Sequence, residues 1–289
     1  MRVRRRTRLP ADRGILAQMP VDVEAEVLWN KHLSADYNVL ALGAPAIARV
    51  AEPGQFVMVR PGRGDVPLLR RPYSVFEILR GPSGDAIGFS LLSKRVGVGS
   101  GLLFAVSEGD RLPCLGPLGR PFAVVDPPED AWMVAGGVGL APFATLAEAL
   151  AARGTKATLF YGARGASELF CLDLFERLSV RLVLATEDGS RGAHGRVTVP
   201  LEQALGGRPA ESRLTVYACG PEPMLKAVAG LAASHGRPSQ LAMERIMGCG
   251  MGGCYSCVVR VRDSSGRSRY ARSCLEGPVL RGEDIVWEE

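Results

Sequence analysis

The chain has 289 residues, of which 47% are hydrophobic and 22% are charged, so its composition excludes collagen-like and disordered proteins. This length allows two or three compact units. The formal net charge is +5, but residues 1–13 contain six arginines and one aspartate, so the remaining body is neutral. The charge therefore gives no reason to expect a nucleic-acid partner.

Residues 1–19 form a basic extension, which we expect either to be disordered or to precede a true start at Met19. No apolar segment typical of a secretory signal follows the arginines. The longest uncharged stretch, residues 131–147, is shorter than the ~20 residues that span a bilayer, and it contains four glycine or proline residues. We therefore expect a cytoplasmic protein without a membrane partner.

Residues 20–126 contain short apolar runs that are separated by Gly, Pro and Asp clusters. These runs are VEAEVLWN, YNVLALG, GQFVMVRPG, YSVFEILRG, AIGFSLLS and GDRLPCLGP. Apolar and polar residues roughly alternate in them, which predicts half-buried antiparallel strands. Their regular spacing favours a β-barrel.

The pattern changes after residue 126. Between residues 127 and 239, short strands alternate with the helical stretches FATLAEALAARG, SELFCLDLFERL and EPMLKAVAGLAASHG, which predicts an α/β domain with a parallel sheet. Residues 240–289 are rich in Gly and Cys and contain a hairpin-like pair of strands. The predicted fold class is therefore a β-barrel plus α/β, followed by a small C-terminal subdomain that a ligand stabilises.

The chain has seven cysteines, and without an export signal they indicate thiol or metal chemistry rather than disulfides. Cys249, Cys254, Cys257 and Cys274 lie close to the C-terminus with spacings of x4, x2 and x16. The first three match plant-type [2Fe-2S] ferredoxins, whose glycine-rich loop lets backbone N–H groups approach the sulfides. Zinc also accepts four thiolates, but zinc ribbons usually carry two C-x2-C pairs and one is present here. The spacing therefore favours a [2Fe-2S] cluster.

A second pattern lies in the predicted barrel, where Arg71, Pro72, Tyr73 and Ser74 stand between two strands. Arginine can clamp a diphosphate, tyrosine can stack on a flavin ring, and serine can hydrogen-bond the ring edge. Residues 92–100 add a lysine and a Gly–Ser pair before a helical stretch, which favours an anion pocket. Residues 116–119 are expected to close the barrel with a tight turn. Together these patterns indicate FAD.

A glycine loop begins the predicted α/β domain. Residues 133–142 are typical of a strand, a loop and a helix start, and the N–H groups of Gly136, Gly137 and Gly139 could face a pyrophosphate. The loop is not G-x-G-x-x-G, so a common Rossmann fold is not favoured. We interpret it as a pyridine nucleotide site.

Cys219, Gly220 and Pro221 follow a buried strand, at the end where open α/β sheets bind ligands. Cys219 is either a residue that faces the nicotinamide and the flavin or a small core cysteine at a strand end. Arg164 could receive a 2′-phosphate and Glu187 could disfavour one, so the choice between NAD and NADP stays open.

The ordered set RRPYS, GVGS, GPLG, AGGVGLAP, ACGPEPM and CGMGGCYSC resembles the ferredoxin–NADP reductase superfamily. More narrowly, it resembles the electron-transfer subunits of the heterodimeric, NAD-dependent dihydroorotate dehydrogenases. The resemblance covers about residues 20–289. It implies an FAD-binding barrel, an NAD-binding domain and a [2Fe-2S] subdomain at residues 20–126, 127–239 and 240–289.

The resemblance also implies roles for the residues of the barrel motifs. The residues expected to contact FAD are Arg71, Pro72, Tyr73, Ser74, Leu92, Ser93 and Lys94, with Gly99 and Ser100 on its diphosphate. Two features depart from the family pattern: Ser100 stands where threonine is usual, and an extra turn at residues 81–86 lengthens the hairpin before Leu92.

The implied activity belongs to pyrimidine biosynthesis. An FMN-containing catalytic subunit would oxidise dihydroorotate, and this chain would carry the electrons through the cluster and FAD to NAD⁺. The resemblance suggests a dimer of heterodimers, with the cysteines on the face that meets the partner. The chain itself offers no base for dihydroorotate oxidation.

Two alternatives remain open at the level of sequence. The first is the small subunit of an NADPH-dependent sulfide dehydrogenase or of a ferredoxin:NADP oxidoreductase, whose motifs overlap almost throughout. The second is a zinc-stapled binding module that uses the barrel for protein contacts and holds no flavin.

Overall fold

A computed structural model describes residues 19–62 and 67–287 of the chain. The basic extension predicted at residues 1–19 lies outside the described residues, apart from Met19. In the described ranges no helix is long and apolar enough to cross a membrane.

The first half of the chain forms an antiparallel sheet of seven strands in the order β4-β3-β7-β1-β2-β6-β5. Its strands are β1 (Val21–His32), β2 (Tyr37–Gly43), β3 (Phe56–Val59), β4 (Arg71–Ser74), β5 (Ile78–Arg80), β6 (Ala86–Lys94) and β7 (Arg111–Leu118). The segment after β4 hydrogen-bonds to β6, since Phe76 N donates to Ser90 O and Ser90 N donates to Glu77 O. The sheet therefore curls upon itself, as the predicted barrel requires.

The prediction of a tight turn at residues 116–119 is wrong for most of that segment. Strand β7 continues to Leu118, with Gly116 paired to Val21 and Leu118 paired to Phe56. The chain bends only at Gly119, whose φ is 80°. A Gly-Pro pair signals a turn when it is exposed, but here both residues are buried in the sheet.

The second half forms another sheet of seven strands in the order β11-β10-β9-β8-β12-β13-β16. Its strands are β8 (Asp130–Gly136), β9 (Ala157–Ala163), β10 (Arg181–Thr186), β11 (Ala193–His194), β12 (Leu214–Cys219), β13 (Ser239–Ala242) and β16 (Val279–Arg281). All neighbours are parallel except β16, which runs antiparallel to β13. The parallel sheet predicted from the alternating pattern is confirmed.

The barrel half contains two short helices, α1 (Pro45–Ala48) and α2 (Val98–Phe104). Helices α3 (Phe143–Ala152) and α4 (Leu172–Arg177) pack on one face of the second sheet, and α5 (Thr198–Gly206) and α6 (Glu222–Ser234) pack on the other. A further short helix, α7 (Ser273–Glu276), precedes β16, and 3-10 turns lie at Gly137–Leu140 and Ala166–Glu168. The helix predicted over SELFCLDLFERL begins only at Leu172, because Cys171 has a φ of 55° and interrupts it. Two separate apolar cores pack on the two faces, and a third fills the barrel.

The cysteine-rich segment lies between β13 and β16 and contains a two-stranded hairpin, β14 (Val258–Arg262) and β15 (Ser268–Arg272). Since β13 and β16 pair with each other, both ends of this segment are fixed at the edge of the second sheet. The domain boundaries proposed from the sequence stay a prediction.

The contact between the glycine loop and strand β12 gives a test of packing. A Cβ added to Gly139 would lie 2.2 Å from the carbonyl oxygen of Cys219, so in Gly139→Ala the loop and the strand end must separate. We expect the free energy of unfolding to fall by about 1–3 kcal/mol, measured by chemical denaturation.

The matched control is Gly230→Ala in α6, where no heavy atom lies within 4 Å of an added Cβ. Alanine is favoured over glycine in a helix by up to about 1 kcal/mol, so this variant should be slightly more stable than the parent. Equal losses of stability in the two variants would contradict the packing argument.

Candidate functional site

A cleft of about 570 Å³ opens between the two sheets. Strands β4 and β6 of the barrel form one wall, and the ends of β8 and β12 form the other. Its lining includes Phe56, Arg71, Pro72, Tyr73, Ser74, Leu92, Ser93, Lys94, Val96, Ser100, Val138, Gly139, Ala141, Cys219, residues 242–247 and Pro278. The structure thus brings most of the residues singled out from the sequence to one cavity, and its volume is within the range of small-molecule sites.

The barrel wall of the cleft consists of the two predicted flavin motifs. Strand β4 supplies Arg71 and Tyr73, and the last residues of β6 supply Ser93 and Lys94. Burial raises the pKa of Tyr73 to about 12, so its phenol is neutral and can donate a hydrogen bond near pH 7. The side chain of Arg71 packs against Gly99, where an added Cβ would lie 3.5 Å from Arg71 Cγ.

A buried network behind this wall was not predicted from the sequence. Ser93 Oγ donates to Asn38 Oδ1 at 2.8 Å, and Asn38 Nδ2 donates to Asn30 Oδ1 at 2.7 Å. Asn30 Nδ2 then donates to the carbonyl of Phe104 at the end of α2. An asparagine is uncommon in a strand and does not by itself predict a structural role there. In this structure the amides of Asn38 and Asn30 link the cleft-lining strand to helix α2.

The loop before α2 is fixed by the hydroxyl of Ser100. Ser100 Oγ accepts hydrogen bonds from Val96 N at 2.8 Å and Gly97 N at 3.0 Å, and it donates to the carbonyl of Gly97. The hydroxyl of Ser100 therefore shapes the loop. Ser100 also lines the cleft. This geometry accounts for a hydroxyl at position 100.

On the opposite wall, the glycine loop crosses the end of β12. Gly139 and Cys219 line the cleft, whereas Gly136, Gly220 and Pro221 lie beside it: a Cβ added to Gly136 would be 3.0 Å from Pro221 Cδ. Burial raises the pKa of the Cys219 thiol to about 12. Cys219 is consequently a neutral, weakly polar group and not a thiolate nucleophile.

Residues 242–247 also line the cleft, although no motif in the sequence indicated them. Arg245 forms two ion-pair contacts with Glu222 at the start of α6, at 2.5 and 3.2 Å. The hydrogen bond from Arg245 holds the pKa of Glu222 below its usual value. The signal that could have found them is their position directly after parallel strand β13, since ligands bind at the carboxyl ends of such strands.

The four predicted ligand cysteines come together in two pairs. The side chain of Cys254 contacts that of Cys249, and the side chain of Cys274 contacts that of Cys257. In the described parts of the chain, no three histidine, cysteine or carboxylate side chains are placed to hold a single metal ion. Two pairs of thiols suit a two-iron cluster, because each iron takes two thiolate ligands.

The surroundings of these cysteines also fit an iron–sulfur cluster. The N–H groups of Met251 and Gly253 donate to Cys249 Sγ at 3.4 and 3.3 Å, and such donors stabilise thiolates. A hydrogen bond with Ser256 lowers the pKa of the Cys254 thiol. The loop reaches this geometry because Gly250 and Gly252 have φ values of 72° and 80°, which other residues rarely adopt.

One apolar layer joins the cysteine site to the cleft. It contains Phe56, Met58, Leu115, Leu118, Met247, Cys257 and Cys274, with Leu275 packed against it. Phe56 and Met247 belong both to this layer and to the cleft lining. One cluster of buried side chains therefore includes both the buried cysteine pair and two residues of the cleft lining.

Comparison with known families gives two matches. Residues 133–230 match the oxidoreductase NAD-binding domain. Residues 244–286 match the iron-sulfur cluster binding domain of dihydroorotate dehydrogenase B. The predicted cofactors, which are FAD, an iron–sulfur cluster and NAD, agree with these matches and with the fold.

Solved structures confirm the predicted ferredoxin reductase-like fold. The structure of the NADH-dependent reduced ferredoxin-NADP oxidoreductase superposes with a TM-score of 0.78 at 30% identity, covering 92% of this chain and 90% of that one. A ferredoxin NADP+ reductase from Neisseria gonorrhoeae, solved with bound FAD and NADP, gives a TM-score of 0.61 at 24% identity and covers 74% of this chain and 92% of its own.

Curated relatives extend over nearly the whole chain. The electron transfer subunit of dihydroorotate dehydrogenase B (NAD(+)) from Desulforamulus reducens is 37% identical over 265 residues, which are 92% of this chain and 98% of the relative. The subunit of the same name from Geobacillus thermodenitrificans is 37% identical over 249 residues, 86% of this chain and 91% of its own. The chain belongs to the family of electron transfer subunits of NAD-dependent dihydroorotate dehydrogenase B.

Proposed function

We propose that this chain delivers to NAD⁺ the electrons that an FMN-containing catalytic partner takes from dihydroorotate. The observation that carries the proposal is the apolar layer shared by the cleft and the cysteine site. When bound, the [2Fe-2S] cluster supplies one-electron transfer, and FAD supplies the exchange between single electrons and the hydride that NAD⁺ accepts. The protein binds these groups, orients them and keeps water from the space between them.

Cys249, Cys254, Cys257 and Cys274 are the proposed cluster ligands. Cys257 and Cys274 are buried in the apolar layer, whereas Cys254 is exposed. The site thus has an inner side toward the cleft and an outer side toward solvent, which suits a group that exchanges electrons between an internal flavin and an external donor.

The barrel wall is the proposed FAD site. Arg71 offers a bidentate guanidinium to the diphosphate, and Tyr73 offers a neutral ring and hydroxyl. The other proposed contacts are Pro72, Ser74, Leu92, Ser93, Lys94, Gly99 and Ser100. The Ser93–Asn38–Asn30 network supports this assignment, because it holds the wall rigid against α2.

The glycine loop and the end of β12 are the proposed NAD site. Gly136, Gly137 and Gly139 would present backbone N–H groups to the pyrophosphate, with Gly220 and Pro221 beside them. Cys219, which lines the cleft as a neutral thiol, would face the nicotinamide and the flavin without taking part in proton transfer.

A carboxylate at the same carboxyl edge of the sheet supports NAD rather than NADP. A Cβ added to Gly165 would lie 2.6 Å from Asp188 Oδ2, so Asp188 lies against the loop that follows β9. Hydrogen bonds from Ser190 lower the pKa of Asp188, which keeps it negative at neutral pH. A negative charge here would repel a 2′-phosphate and accept a ribose hydroxyl.

The outer side of the cysteine site is the proposed docking surface for the catalytic subunit. In the cysteine-rich segment, exposed apolar side chains occur at Met251, Tyr255 and Tyr270, of which Tyr270 is 67% exposed. Aromatic residues and methionine are enriched at protein interfaces. The arrangement suggested by the family resemblance is a dimer of heterodimers.

The decisive experiment is to copurify the chain with the FMN-containing subunit from the same genome and to measure NAD⁺ reduction driven by dihydroorotate. Tyr270→Asp should weaken complex formation and slow this reaction, while NADH oxidation by an artificial dye stays at the parent rate. Val199→Asp is the matched control, since Val199 is an exposed apolar residue on α5. A complex that reduces NAD⁺ only from a donor such as reduced ferredoxin or sulfide would contradict the proposed substrate.

Cys257→Ala tests the cluster assignment. Removing a buried ligand should abolish the roughly two iron atoms per chain that a [2Fe-2S] cluster requires, while the flavin absorbance remains. Iron analysis and electron paramagnetic resonance measure the loss. Cys171→Ala is the control and should keep its iron; a zinc-loaded, colourless parent protein would refute the assignment.

Arg71→Ala tests the FAD assignment. Hydrogen bonds to charged groups contribute about 1.5–3 kcal/mol each, so the Kd for FAD should rise roughly ten- to hundredfold. Fluorescence of released flavin gives the measurement. Arg111→Ala is the control, because Arg111 is an exposed β7 residue that pairs only loosely with Glu26, at 4.0 Å; similar losses of FAD in both variants would argue against a specific role.

A further inference from the structure

Four side chains bridge the boundary, or seam, between the two sheets, and we call this group the clasp: Tyr37, Lys94, Glu168 and Phe170. Tyr37 Oη donates to Glu168 Oε2 at 3.4 Å, and Lys94 Nζ lies 3.8 Å from Glu168 Oε1. Lys94 Nζ also lies 4.7 Å from the centre of the Tyr37 ring, which packs on Phe170 at 4.8 Å. Tyr37 and Lys94 belong to the barrel, and Glu168 and Phe170 follow β9 of the second sheet.

The clasp stands beside both proposed nucleotide sites. Lys94 lines the cleft, and Tyr37 Oη would lie 4.0 Å from a Cβ added to Gly137 in the glycine loop. A diphosphate held by that loop would therefore come close to the Lys94 ammonium. The carboxylate of Glu168 already forms an ion pair with this same ammonium.

We propose that Glu168 is a positioning residue that competes with the diphosphate of the bound pyridine nucleotide for the side-chain ammonium of Lys94, while the rest of Lys94 keeps its place in the proposed FAD wall. The inference rests on the proposed function, because it takes the glycine loop as the NAD site. In the free protein, Glu168 holds Lys94 and Tyr37 across the seam. When the dinucleotide enters, Lys94 turns to its diphosphate and the ion pair with Glu168 is released.

The strength of the ion pair suits such an exchange. The side chains of Lys94 and Glu168 are 28% and 26% exposed, so water screens their attraction and the pair is weak. A diphosphate carries more negative charge than one carboxylate and takes the cation readily. The net effect of Glu168 is to weaken nucleotide binding and to speed its release, which favours turnover when release limits the rate.

Glu168→Gln in the full chain loaded with FAD and cluster tests this inference. NAD⁺ is titrated into the oxidised protein, in which no hydride can be transferred, and binding is followed by calorimetry. We expect NAD⁺ to bind about two- to fivefold more tightly than to the parent, which is the range for exposed ion pairs. The gain should disappear in high salt, because salt screens exposed charges, and Glu168→Asp should restore parent-like affinity.

The matched control is Asp173→Asn on the neighbouring helix α4. It removes the same charge from an exposed pair, Asp173 with Arg177 at 2.6 Å, and should leave NAD⁺ affinity unchanged. The inference is overturned if Glu168→Gln weakens NAD⁺ binding, leaves it unchanged, or instead slows the release of FAD, because the last result would assign Lys94 to the flavin diphosphate. Failure of the parent protein to bind NAD⁺ would contradict the proposed function itself.

Discussion

The apolar layer between the cleft and the cysteine site is the constraint on which the rest of the structure depends. Its members come from distant parts of the chain: Phe56 from the barrel, Met247 from the segment after β13, and Cys257 and Cys274 from the ligand set. A close-packed interior leaves no room for water between such groups. The barrel and the cysteine segment are therefore held together by contacts that also serve the proposed electron path.

The sequence predicted those features that depend on local chemistry. Four cysteines at fixed spacing predict a cluster because the ligand set is itself the signal. Alternating apolar residues predict the strands of the barrel, and strands that alternate with helical stretches predict the parallel sheet. The family relationship predicted from the motifs is confirmed by the curated relatives, and the ferredoxin reductase-like fold by the solved structures. The individual ligand and cofactor contacts stay predictions.

Features that arise from long-range packing could not be predicted in this way. The buried Asn38 and the clasp residue Glu168 have ordinary sequence surroundings, and their roles come from Ser93 and Tyr37, which are far away in the chain. The turn predicted at residues 116–119 was wrong because Gly-Pro pairs signal local bending, whereas the pairing of β7 with β1 and β3 keeps this one extended. Tertiary pairing overrides turn propensity in such cases.

The return of the chain through β16 ties the cysteine segment to the second sheet. Strand β16 closes the edge of that sheet by pairing with β13, and the segment between them contains all four proposed ligands. Metal binding contributes directly to the folding free energy of such a segment. A cell short of iron would therefore produce a chain whose sheet edge is poorly held, and exposed edges invite aggregation and proteolysis.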